Sequence, residues 1–134
     1  KARLAAINLF ETESFVKQKL FGKVLARSEF KKGIVWSWVT QELMNETKAS
    51  MEDTEGLIKQ LRKTEGAEVA VLFKELPEEK VKVSLRSKED LNVGEIAREF
   101  GGGGHEKAAG CVIKGTPEHA QTTLLEKLGK KINR

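Results

Sequence analysis

Two hydrophobic periods alternate along the chain, and the points where one gives way to the other outline its elements. From Ser14 onward, Val16, Leu20, Phe21, Val24 and Leu25 recur at helical spacing and form one apolar face. Gly22 is the weak point of that helix. Residues 2–10 also carry a helical pattern, and with Lys1 at a raw chain end, residues 1–12 read as the end of a connector from an upstream domain. Ile34 to Thr40 is rich in β-branched and aromatic residues and sets Ile34, Trp36 and Trp38 on one face of a strand. A helix is expected from an Asp53 cap through Lys63, with Leu57, Ile58 and Leu61 as its stripe and Gly66 as its end.

The second half reads as a hairpin followed by a helix, a strand and a helix. A strand from Ala67 to Lys74 meets a turn at Leu76-Pro77-Glu78-Glu79, then a strand from Val81 to Arg86. Along that strand Val81, Val83 and Leu85 face one way, and Lys82, Ser84 and Arg86 the other. Asn92 with Glu95 has the form of a capping box for a short helix to Phe100, and Gly101 is placed to end it in a left-handed conformation. Ala108 to Lys114 reads as a short buried strand. Thr116-Pro117 caps a final helix whose stripe is Ala120, Leu124, Leu125, Leu128 and Ile132. Strands and helices that do not strictly alternate predict an α/β fold, a small mixed sheet of about four or more strands covered by helices.

Composition narrows the class without naming it. The 134 residues suit a single core, and with 39% hydrophobic and 33% charged residues the chain reads as soluble and globular. No apolar run approaches the ~20 residues that span a bilayer, so no membrane association is expected. Cys111 is the lone cysteine, which fits a reducing compartment and a cytoplasmic location. The net charge of +4 suits an anionic partner or solubility alone. Lys17, Lys19, Lys23, Arg27, Lys31 and Lys32 are interleaved with apolar positions and read as a solvated face.

The unusual stretch is REFGGGGHEKAAG, Arg98 to Gly110. Helix termination accounts for Gly101 and leaves Gly102, Gly103 and Gly104 as a surplus. Such a run can bare successive backbone N–H groups as an anion-binding nest, or admit a phosphate or base close to the main chain. His105 at its rim can hydrogen-bond a phosphate oxygen in either protonation state. Neither the dinucleotide fingerprint nor the Walker loop fits, because these glycines follow a helix and precede a strand. Arg86, near the end of the polar side of its strand, carries a guanidinium fork suited to phosphate. Lys107 reads equally as a phosphate contact or a solvated side chain. Trp36 and Trp38 read as core, Cys111 as packed in its strand and His119 as a surface residue. Only Asp53 and Asp90, and only His105 and His119, occur in the chain, with no Asp-His-His triplet. A self-contained two-metal site is therefore not expected, and neither a catalytic residue nor a metal ligand is assigned.

GGGGHEKAAG, preceded by a helix ending REF and a strand VKVSLRS, resembles the DHH-associated domain of the DHH phosphoesterase superfamily. The spacing Gly-Gly-Gly-His-x-x-Ala-Ala-Gly carries the resemblance. Upstream, DTEGLIKQLRKTEGAEVAVLFKE resembles the branch of bacterial oligoribonucleases and phosphoadenosine-phosphate phosphatases, so the likeness runs from about Phe10 onward. The alanyl-tRNA synthetase version is a weaker match, since its pattern resembles Ala-Gln-Gly and lacks the histidine.

The resemblance implies that residues 13–134 form a substrate-binding domain with the DHH-associated fold. It implies a catalytic DHH domain, absent from this chain, lying N-terminal in the parent and carrying two divalent metals, usually manganese; no cofactor is implied for the fragment itself. Gly102, Gly103, Gly104 and His105 match the family's substrate-contacting loop. Arg86 with Ser87 matches the Arg-Ser pair that grips a substrate phosphate. The implied partners are a nucleotide or short single-stranded RNA and the parent's DHH domain, with a homodimer left open. Two other classes stay open: a synthetase-type RNA-binding appendage without hydrolysis, and a packing or dimerisation domain whose glycines only make a turn.

Overall fold

The computed structural model describes residues 13–132. The connector and helix read at residues 1–12 lie outside them. In chain order the elements are α1 (Phe15–Ala26), β1 (Glu29–Lys31), β2 (Ile34–Val39), α2 (Gln41–Thr47), a 3₁₀ turn (Met51–Thr54), α3 (Leu57–Arg62), β3 (Val69–Leu76), β4 (Lys80–Ser87), α4 (Val93–Glu99), β5 (Gly103–Gly104), β6 (Ala108–Lys114) and α5 (Pro117–Ile132). The strands form one six-stranded sheet in the order β1-β2-β3-β4-β6-β5. Only β2 and β3 pair in parallel, across the connection that carries α2 and α3. The expected mixed α/β sheet is present, with two short strands added at its edges.

Strand alternation divides the apolar residues between two cores. Ile34, Trp36, Val69, Val71, Phe73, Val81, Val83 and Leu85 meet Val93, Ile96 and Ala97 of α4 and Ala120, Leu124 and Leu128 of α5. Phe73 is fully buried and stacks on Trp38 at 4.7 Å, so the aromatic strand residues serve packing. Burial of one such side chain contributes about 1.5–3 kcal/mol. On the opposite face Val35, Val39, Ala70 and Leu72 meet Leu20 and Val24 of α1, Leu43 of α2, and Leu57, Ile58 and Leu61 of α3. This second core holds no residue of β4 or β6.

Among the described residues, no helix covers half of one sheet face. Lys82 and Lys114 are exposed there, Ser84, Arg86, Ala108 and Gly110 are half-buried, and Val112 keeps 47% of its surface in solvent.

Two elements begin differently from their sequence pattern. Strand β2 stops at Val39 because Thr40 caps α2, its hydroxyl accepting from the Leu43 N–H at 3.0 Å. The single helix expected from Asp53 to Lys63 is split. Asp53 closes the 3₁₀ turn by accepting from the Ser50 N–H at 2.8 Å, and Gly56 at φ +91° breaks the path before α3 starts.

Candidate functional site

The uncovered face is built from three strands in register. Arg86 on β4 lies opposite Ala108 on β6, Ser84 opposite Gly110, and Lys82 opposite Val112. Strand β5 adds Gly103 opposite Gly110. Directly paired residues share a face of a sheet, so a row of small residues, Ser84, Gly110 and Gly103, crosses all three strands beside Arg86. The result is a shallow floor with a cation at its edge. Arg86 donates to the Leu85 carbonyl at 3.1 Å, and no carboxylate among the described residues forms a salt bridge with it. Its planar fork retains donors for an anion.

The glycines divide by what a side chain would meet. Gly101, at φ +84°, ends α4: its N–H donates to the Arg98 carbonyl at 3.1 Å and that of Gly102 to the Ala97 carbonyl at 2.8 Å, the paired bonds of a Schellman motif. A Cβ on Gly102 would lie 2.7 Å from the Cys111 Cα and collide with the Gly110 carbonyl. Gly104, at φ +138°, has the Ala108 carbonyl and Ala109 Cα 2.6 Å from the same position. Backbone packing thus explains both. Around Gly103 nothing lies within 4 Å, and its φ is not in the left-handed range. The structural need for glycine fails at that one position, on the open face.

This corrects the expectation of an anion-binding nest. The N–H groups of Gly101, Gly102 and His105 are committed to the Arg98, Ala97 and Ala108 carbonyls, and of Gly103 and Gly104, paired antiparallel with β6, only alternate residues turn their N–H away from the partner strand, so the run does not present successive free donors. What it supplies is close approach to the main chain at Gly103.

His105, Glu106 and Lys107 form the turn from β5 into β6. The His105 N–H donates to Ala108 at 2.7 Å, and the residue itself is exposed. The turn is fastened to the segment between β4 and α4. Ser87 N–H donates to the Lys107 carbonyl at 3.1 Å, and Val93 N–H to the Glu106 carbonyl at 2.8 Å. The Lys107 ammonium donates to the carbonyls of Lys88 at 2.8 Å and Glu89 at 2.7 Å.

Of the residues matched to the family's site, Arg86, Gly103 and His105 are accessible beside one another in the register. Gly102 and Gly104 shape the backbone between them. Ser87 is not with them: alternation along β4 sends it to the opposite face, where it is fully buried and its hydroxyl donates to the Leu91 carbonyl at 2.7 Å. A phosphate cannot reach it, and its contribution is to hold the turn. The sequence reading also passed over Gly94. A Cβ there would stand 2.9 Å from the His105 carbonyl and 3.1 Å from that of Gly104. A glycine inside a helix costs about 1 kcal/mol relative to alanine, and that cost was the available signal.

Two further groups are chemically informative. Lys74, opposite Lys82, donates to the Thr54 hydroxyl at 2.9 Å. Burial first, and then repulsion from Lys82, lowers its pKa against a smaller opposing pull from Glu55. Cys111 is buried, and desolvation pushes its thiol up to about 11, so it is neither a nucleophile nor a ready metal ligand. Among the described residues no three His, Cys, Asp or Glu side chains gather as a metal site. No described helix is long and apolar enough to cross a membrane.

Fold and site together define a mixed α/β module with a half-covered sheet face that carries Arg86 at its edge. Residues 31–134 match the model of the DHHA1 domain, and the chain belongs to that family. It is 35% identical over 117 residues to the bifunctional oligoribonuclease and PAP phosphatase NrnA of Thermus thermophilus, covering 87% of this chain and 35% of the relative. The chain thus spans about a third of that relative's length. An exopolyphosphatase-related protein from Bacteroides fragilis superposes with a TM-score of 0.85 at 24% identity, over 100% of this chain and 41% of its own. The C-Ala domain of Aquifex aeolicus alanyl-tRNA synthetase superposes with a TM-score of 0.53 at 18% identity, over 79% of this chain and 96% of its own.

Proposed function

We propose that this chain is the substrate-gripping domain of a metal-dependent phosphoesterase that hydrolyses short oligoribonucleotides, phosphoadenosine phosphate or both. The chemistry of bond cleavage belongs to an N-terminal DHH domain of the parent, with its divalent metals. This domain supplies orientation: the Arg86 guanidinium grips a phosphate, His105 donates a hydrogen bond to it, and the bare backbone at Gly103 lets the nucleotide lie against the floor. The observation that carries the reading is Gly103, a glycine without a conformational or packing requirement on the one uncovered sheet face. Membership of the DHHA1 family and the likeness to an oligoribonuclease and PAP phosphatase support it.

Calorimetric titration at low salt tests the proposal. Phosphoadenosine phosphate, a two-nucleotide RNA and transfer RNA are each titrated into the chain and into Arg86→Ala and His105→Ala. Binding by the wild type that both substitutions weaken supports the reading. Binding of either ligand that ignores both substitutions overturns it, as does binding of transfer RNA alone, which would mark a synthetase-type appendage.

A further inference from the structure

The turn that carries His105 is anchored from outside by a cation, and its geometry differs from that of a ligand-binding lysine. Lys107 is exposed by residue, yet its ammonium is held by two carbonyl oxygens at 2.7 and 2.8 Å, both from the Lys88-Glu89 segment. Two of its three donors are thereby occupied within the protein. The same two segments are joined by the Ser87 and Val93 backbone bonds and by Ser87 Oγ, which reaches the Glu106 carbonyl at 3.4 Å. On the other side, Gly94 lets α4 approach the Gly104 and His105 carbonyls. Lys107 is the only side chain of the three-residue turn with a described tie to another element.

We infer that Lys107 is a positioning residue: it holds the β5–β6 turn so that His105 is presented beside Arg86 before substrate arrives, and it does not itself bind the phosphate. The inference rests on the reading of Arg86 and His105 as phosphate contacts. Its physical content is preorganisation. A three-residue turn preceded by glycines has many accessible conformations, and each must otherwise be frozen when the ligand binds. A charge-assisted pair of hydrogen bonds fixes it beforehand. The ammonium also adds to the positive field at the site, but from a position fixed by its two carbonyl acceptors.

A double-mutant cycle separates positioning from direct contact. Affinity for a two-nucleotide RNA is measured in wild type, Lys107→Met, His105→Ala and the double variant, with Lys107→Arg and Arg86→Ala alongside. Lys107→Met is expected to weaken binding about tenfold, the order of one lost hydrogen bond to a charged group. In the His105→Ala background the same substitution should have almost no further effect. Lys107→Arg, which restores donors to the carbonyls, should recover most of the affinity. An equal loss in both backgrounds would overturn the inference and assign Lys107 to the phosphate directly. Full affinity in Lys107→Met would overturn it as well. If Arg86→Ala and His105→Ala leave affinity unchanged, it is the underlying site assignment that fails, a result distinct from either.

Discussion

Gly102 and Gly103 are adjacent in the chain and have opposite requirements. A methyl group on Gly102 has no place to go, since β6 backbone stands within 2.7 Å of it. Gly102→Ala should therefore cost about 1–3 kcal/mol through overpacking at the β5–β6 junction, measured by denaturant unfolding. Gly103→Ala should leave stability unchanged or raise it by about 0.5–1 kcal/mol, because the unfolded chain loses freedom and the folded one meets nothing. The same variant should bind nucleotide more weakly. A destabilised Gly103→Ala with normal affinity would return the glycine run to a purely structural role. Cys111 behaves by the same logic of burial: a maleimide should label it only on unfolding, and rapid labelling of the native chain would contradict its place in the core.

At the scale of elements, legibility followed side-chain pattern. Helices α4 and α5 and strands β3, β4 and β6 have clear periodicity and caps, and the structure places them within a few residues of the reading. Strand β5 consists of two glycines, so it has no side chain to alternate, and only pairing with Gly110 and Ala109 defines it. Strand β2 was legible, but β1 and the hairpin it forms with β2 were not, for a related reason. Its two-residue turn is Lys32-Gly33, at φ +50° and +83°, a type I′ geometry whose usual sequence signal is Asn-Gly. Lys32→Asn should relieve left-handed strain and stabilise the chain by about 0.5–1 kcal/mol in thermal unfolding. Ser87 shows the limit of transfer by motif. It follows Arg86 in sequence, and the period of two that exposes the arginine buries the serine.

At the scale of the whole molecule, one sheet with two cores leaves one face half covered by the described residues, and the proposed site lies on it. The alkaline stability of the chain should reflect two groups that act in opposite directions, the half-buried Lys74 and the buried Cys111. Lys74 is easier to deprotonate folded than unfolded, so it makes stability rise as pH climbs toward the ordinary lysine value of 10.5. Cys111 resists ionisation when folded, so it makes stability fall as pH passes from 9.0 toward about 11. Lys74→Met should remove the rise and Cys111→Ala the fall, read from denaturation midpoints across that range. Identical profiles in all three proteins would show that neither group senses the fold.

Under this reading, ligand lies on the uncovered face of β4, β5 and β6. The most direct measurement is the movement of assigned backbone amide resonances as a two-nucleotide RNA is titrated into the isotopically labelled chain. Shifts should concentrate at Arg86, Gly103, Gly104, His105 and Gly110 and spare the core packed beneath α1 and α3. Shifts gathered instead on α1 and α3, or around α5, with the amides of β5 and β6 unmoved, would contradict it.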